Sequence, residues 1–161
     1  MKPSTVIHIH TLNVHAPSPG VLLESIARAQ PFQVASAPSG TVIDAATGLM
    51  WSKETNAIGK NWAEAKQAAA DLRLGGFSDW RLPTRQELLT LVDDTRSDPA
   101  IDTDKFECES SWYWTSTPLA SSPSDCAWGV GFDLGGANCG RRNGDGRVRA
   151  VRSVSAPAAG Q

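Results

Sequence analysis

The chain has 161 residues, room for one ordinary domain and a short appendage, and enough to bury a core without disulfides or metals. Its 15 basic and 17 acidic side chains leave a net charge of −2, which argues against the strongly basic face that a nucleic-acid partner requires. No run approaches the ~18 apolar residues of a membrane span, so no membrane insertion is expected.

Three parts emerge along the chain: residues 1–38, a continuous domain over 39–153, and a small-residue tail at 154–161 that reads as disordered. In the first part, Val6, His8, His10, Leu12 and Val14 alternate with Ile7 and Ile9, which reads as a strand over 5–14. Pro17 to Gly20 breaks it, and Val21 to Ala29 reads as a short helix ended by Pro31. A lone strand and helix cannot stand alone, so residues 1–38 read as an arm for attachment or oligomerisation.

The main domain opens with Thr41–Asp44 and Leu49–Trp51 around a Gly48 turn, a hairpin pattern. Trp62, Ala65, Ala69 and Leu72 mark one stripe of a helix over about 61–73, closed by Gly75-Gly76. Thr84 and Glu87 form a capping box, so a second helix starts there and runs to about Val92. Residues 93–111 are acidic and irregular. Strand-like stretches follow at Trp112–Thr117, Ala127–Leu134 and Arg147–Val154, separated by Gly, Ser, Asn and Pro. Hairpin, helices, long loop and strands in that order predict an α+β domain.

Six blocks in that domain resemble one family: Asp44-x-x-Thr47-Gly48-Leu49-Met50-Trp51; Asn61-Trp62-x-x-Ala65; Gly75-Gly76-x-x-Asp79-Trp80-Arg81-Leu82-Pro83-Thr84-x-x-Glu87-Leu88; Tyr113 to Thr117; Ala127-Trp128-x-Val130-x-Phe132-x-x-Gly135; and Val148-Arg149-Ala150-Val151-Arg152. Together they resemble the C-terminal domain of the Legionella collagen-like adhesin, over roughly residues 39–153. The Trp-Arg-Leu-Pro-Thr block and the terminal Val-Arg-x-Val-Arg also look like the wider C-type-lectin-like group, which includes formylglycine-generating enzymes and variable receptor-binding proteins of phages. The resemblance implies a C-type-lectin-like fold, two helices flanking small antiparallel sheets, with long loops near the C-terminal strands carrying recognition. It also implies a surface or virion setting and a homo-oligomer, the adhesin itself binding sulfated polysaccharide as a trimer. Residues 1–38 fall outside it.

Read from its own chemistry, the Asp79–Thr84 block is scaffold. Trp80 and Leu82 alternate into a core, Arg81 offers a fork for a carboxylate, Pro83 holds φ and Thr84 caps a helix. The 6 Trp against 1 Tyr and 4 Phe suit a compact domain, and core is the commoner place for each. Cys108, Cys126 and Cys139 match no zinc spacing, and one disulfide or three reduced thiols both remain open. The first ten residues lack the apolar run of a secretory signal, so the expected setting is cytoplasmic synthesis with display on a virion or cell surface.

Chemistry is sparse. The histidines His8, His10 and His15 all precede the main domain, which leaves it no Ser-His or Cys-His pair and no catalytic residue to assign. His8 and His10 share a strand face where a symmetric assembly could hold a metal, but two polar residues on a half-exposed strand is the preferred reading. The acidic stretch from Asp93 to Asp104 suits a hard cation in composition yet lacks the EF-hand register and the triplets of Ca²⁺-dependent lectins. A solvated loop is the preferred reading, with no metal and no cofactor assigned.

The candidate recognition surface is the loop Gly135–Arg147. Arg141, Arg142 and Arg147 supply planar donors for sulfate or carboxylate, and Asn138, Asn143 and Asp145 can bond sugar hydroxyls. Trp112 and Trp128, with Tyr113, are the aromatic platforms expected nearby. A polar turn whose arginines are merely solvated is the simpler alternative. Three functions stay in play: a non-enzymatic module binding a glycan or cell-surface receptor, displayed on a phage virion or bacterial surface; a structural virion component, such as a capsid decoration or tail accessory protein, anchored by residues 1–38; and an enzyme of formylglycine-generating type.

Overall fold

The computed structural model describes residues 36–154. The strand expected at 5–14, the helix expected at 21–29 and the tail beyond Val154 lie outside those residues. Along the described chain run β1 (Thr41–Asp44), β2 (Leu49–Ser52), β3 (Ala57–Lys60), α1 (Trp62–Asp71), α2 (Arg85–Leu89), β4 (Trp112–Pro118), β5 (Cys126–Gly131), β6 (Gly136–Arg141), β7 (Gly146–Val148) and β8 (Val151–Ser153).

Local chemistry sets the first elements. β1 and β2 pair as the expected hairpin, Thr41 opposite Ser52 and Asp44 opposite Leu49. The Asp44 carboxylate closes the turn by accepting from the Ala46 N–H (3.0 Å) and the Thr47 hydroxyl (2.6 Å), and Gly48 takes the left-handed position at φ 68°. Asn61 caps α1 by accepting from the Ala63 and Glu64 N–H groups, while Glu64 reaches back to the Asn61 N–H at 3.1 Å. Thr84 and Glu87 do the same for α2, as their spacing predicts. α2 stops at Leu89, shorter than expected, because Leu91 and Val92 bond to carbonyls three residues back and Val92 then bridges to Ile101.

Two sheets organise the fold, which is α+β. The smaller has the order β1-β2-β8; the larger has the order β3-β7-β4-β5-β6. The larger sheet is mixed, since β4 and β7 pair in parallel at Tyr113 and Arg147, which departs from the purely antiparallel expectation. The C-terminal stretch expected as one strand is two. β7 joins the larger sheet and β8 the smaller, and Arg149 and Ala150 carry the chain between them. The Gly135–Arg147 segment expected as a loop holds all of β6, then a short turn. Its residues, Gly-Ala-Asn-Cys-Gly-Arg, have no apolar alternation to announce a strand, because β6 is an edge with little core to face.

The larger sheet is covered on both faces. On one face Trp62, Ala65 and Ala69 of α1 pack with Trp80, Trp114 and Val148. On the other, Leu88 of α2 packs with Tyr113, Val130 and Phe132. β2 belongs to both cores: Met50 enters the first, Leu49 and Trp51 the second. That is why it reads as a continuous apolar run without alternation.

The Asp79–Thr84 block ties these parts together. Trp80 is 2% exposed, and its indole N–H donates to the Leu74 carbonyl at 3.2 Å. Arg81 pairs its main chain with Val151 in both directions at 2.9 Å, and its guanidinium forks onto Glu87 at 2.7 and 2.8 Å. Arg152 is 7% exposed, stacks on Phe77 and grips Asp79 at 2.7 and 3.1 Å, which holds that carboxyl below its usual range. Arg149 has no carboxylate partner among the described residues. Fully buried, it donates to the carbonyls of Ser52, Lys53 and Glu107 at 2.7 to 2.8 Å.

Candidate functional site

The site is built from a Trp-x-Trp strand lying against glycine. Trp112 and Trp114 share one face of β4 and meet edge to face, with centroids 5.7 Å apart and planes at 81°. The neighbouring strands make room for them. A Cβ at Gly129 on β5 would run into the Trp112 ring and lie 2.6 Å from the Tyr113 carbonyl oxygen. One at Gly146 on β7 would sit 2.6 Å from Trp114 Nε1, and one at Gly140 on β6 3.3 Å from Trp114 Cη2. Trp114 is locked further by its indole N–H, which donates to the Lys60 carbonyl at 2.8 Å. Trp114 is thereby core, while Trp112 stays half-buried with part of its ring at the surface.

At that surface lies a shallow depression of about 240 Å³, lined by Trp112, Trp114, Cys139, Gly140, Arg141, Gly144 and Asp145. It unites three residues singled out from sequence, Trp112, Arg141 and Asp145, and adds the other four. Arg141 and Asp145 are exposed and enter no ion pair among the described residues. Two opposite charges therefore border the depression without an ion-pair partner among the described residues, Asp145 from the turn and Arg141 from the end of β6, where alternation sets its side chain on the face away from Gly140. The missed members had a legible signal: glycines spaced along strands that must pass beneath two tryptophans.

The remaining predicted residues are elsewhere or occupied. Arg142 is built into the fold and does not line the depression: its guanidinium lies 3.8 Å over the Trp62 ring, its main-chain N–H donates to the Asp125 carbonyl at 2.7 Å, and its main-chain carbonyl accepts the Trp62 N–H at 2.9 Å. Arg147 is half-buried and ion-paired with Glu109. Trp128 lies on the opposite face of β5 from Trp112, under the Arg85 guanidinium at 3.9 Å, and does not reach the depression. Asn138 and Asn143 are exposed beside the depression without lining it.

Two larger clefts differ in character. One of about 490 Å³ is lined by Glu54, Glu107 and Glu109 with Thr55, Phe106 and Cys108. Lys53 holds Glu107 at 3.0 Å and Arg147 holds Glu109, so two of its three carboxylates are already neutralised. Tyr113 sits behind it, bonded to Thr55 at 2.7 Å, and burial pushes its phenol up. The other, about 320 Å³, runs between β1 and the segment after α2. In the acidic stretch, Arg96 draws Asp93 (3.2 Å), Asp102 and Asp104 (both 3.6 Å) around itself, and Lys105 takes Asp102 at 3.0 Å. Those carboxylates face internal cations. The three cysteines are unpaired with one another, and among the described residues no group of three His, Cys, Asp or Glu could hold a metal.

Comparison with curated proteins finds no match. A family model does match, the Lcl C-terminal domain, over residues 40–152, which takes in both sheets, both helices and the whole depression. The chain belongs to the Lcl C-terminal domain family.

Proposed function

We propose that the domain is a non-enzymatic recognition module that binds a glycan or a cell-surface receptor through the depression between β4, β6 and the turn after it. The observation that carries this reading is the grouping, around one depression, of a partly accessible indole on β4 with an arginine at the end of β6 and an aspartate in the turn after it, neither ion-paired among the described residues. An indole offers a flat apolar surface to the C–H face of a sugar ring, Arg141 donates to hydroxyl or acid oxygens, and Asp145 accepts from hydroxyls. The depression is smaller than the ~300–1,000 Å³ typical of enclosed small-molecule sites. It suits one ring of a polymer lying on the surface better than a ligand swallowed whole. Display on a phage virion or bacterial surface, with residues 1–38 as the arm for attachment or oligomerisation, completes the proposal.

The test is glycan-array and polyanion binding by the full chain. The Arg141→Ala, Asp145→Ala double variant and Trp112→Ala should each weaken the response at least about tenfold, the scale of one or two lost charged or stacked contacts. Failure of the wild-type chain on every glycan and on every host or bacterial surface tried would remove the reading.

A further inference from the structure

The smaller sheet has one closed edge and one open. Beyond β8, Arg81 bonds its main chain to Val151 in both directions at 2.9 Å, which seals that side. Beyond β1 no strand follows among the described residues. The Lys53 N–H donates to the Gly40 carbonyl at 2.9 Å, and this bond fixes the phase of the β1–β2 ladder. Bonded pairs alternate along an antiparallel ladder, so Val42 and Asp44 turn their main-chain groups to β2 while Thr41 and Ile43 turn theirs outward. The Thr41 N–H is taken by the Pro38 carbonyl at 3.0 Å. Its carbonyl, and both main-chain groups of Ile43, have no partner among the described residues.

That edge is one wall of the cleft of about 320 Å³, which four consecutive residues, Val42 to Ala45, border together. Side chains alternate along a strand, so such a run meets one cavity only along its main-chain edge. Val42 indeed packs on one core and Ile43 on the other. Across the cleft stand Leu91, Val92 and Phe106, on the same core as Val42. The charges along it are unevenly matched. Asp93 and Asp102 face Arg96 and Lys105, but Asp44 enters no ion pair among the described residues.

We propose that this cleft binds an extended peptide segment of a partner protein, added antiparallel to β1 as a fourth strand, with a basic residue opposite Asp44 and an apolar one opposite Val42. An open strand edge offers N–H and C=O groups at the spacing of another extended chain, and side-chain pockets beside it select the sequence. The segment's residue opposite Ile43 exchanges both main-chain bonds with it, and the residue opposite Thr41 donates to that carbonyl. The side chains between these fall on the Val42 face. The one opposite Val42 covers Leu91, Val92 and Phe106, and the one opposite Asp44 meets the unmatched carboxylate. Antiparallel order makes the motif basic–any–apolar, read from the segment's N-terminus. Four strand residues span roughly 14 Å at ~3.4 Å each, so the contact is short. The cleft shares no residue with the depression beside Trp112.

Titration of the blocked peptide acetyl-Ser-Lys-Thr-Leu-Thr-Ser-amide into the isotope-labelled full chain, followed by amide chemical shifts, checks this. Millimolar peptide should move the amides of Ile43, Leu91 and Val92 and leave those of Cys139 and Gly140 in place. N-methylation of the Thr between Lys and Leu removes the donor to the Ile43 carbonyl and should weaken binding about tenfold. The same methyl group on Leu, whose N–H points away from β1, should cost less than about twofold. Asp in place of the Lys should weaken binding about fivefold, and Asp44→Asn, which keeps an oxygen for the turn, should erase that preference. No shift at Ile43 with this peptide or its Arg and Phe counterparts would overturn the proposal. Equal losses from the two methylated peptides, or shifts confined to the depression beside Trp112, would do the same. So would slow hydrogen exchange of the Ile43 amide in the peptide-free chain, which would mean that the edge is already paired.

Discussion

Glu87 carries two jobs at once, and acid should separate them. Its carboxylate caps α2 through the Thr84 N–H at 2.7 Å and receives both arms of the Arg81 guanidinium. The Arg81 hydrogen bonds come first among the causes that hold its pKa down to about 2, against an ordinary value of 4.5. At about 1.36 kcal/mol per pH unit the ceiling on the charged form's contribution is about 3 kcal/mol. Arg81 is 43% exposed, so water screens the pair and the working figure falls to about 1–2 kcal/mol. Because the folded pKa is depressed, this stability is fully present above about pH 5 and drains away as pH falls toward 2. Glu87→Gln keeps a side chain able to cap Thr84 but loses the charge. Urea denaturation should find the variant about 1–2 kcal/mol weaker at pH 7, with the gap mostly closed near pH 2. A gap of the same size at both pH values would show that the ion pair contributes nothing and that the loss is steric.

Other expectations follow from the same contacts. Gly146→Ala should cost about 1–3 kcal/mol in thermal or chemical denaturation, since its new methyl group would meet the Trp114 and Trp112 rings at 2.6 to 2.9 Å. Arg149→Met should cost about 3 kcal/mol or more and show as poor soluble yield, because three carbonyls that the guanidinium now satisfies would lose their donor. Arg142→Ala should lower stability by about 1 kcal/mol through the lost stack on Trp62 and leave glycan binding near wild type, whereas Arg141→Ala should do the reverse.

Much of the scaffold could be read directly because its determinants are local. The Gly48 turn, the Thr84–Glu87 capping box and the inward Trp80 and Leu82 each depend on residues within a few positions of one another. The fork of Arg81 found its carboxylate at Glu87, only six positions on. The depression was half legible: Trp112, Arg141 and Asp145 stand out by type. Trp128 did not join them, because nothing in a run of strand residues says which face a tryptophan will take once the register with β4 is set.

Which arginine is free was decided by the tertiary structure. Arg141, Arg142 and Arg147 look equivalent in a glycine-rich stretch, yet the fold gives Arg147 a carboxylate from Glu109 and lays Arg142 on Trp62, partners that no local pattern identifies. The same holds for β6 and for the split of β7 from β8: strand identity there comes from main-chain bonds to distant neighbours and leaves no periodicity behind. Local chemistry in the sequence determined the turns, the caps and the family blocks. The choice of open edge, free charge and accessible ring fell to contacts that exist only once the chain has closed on itself.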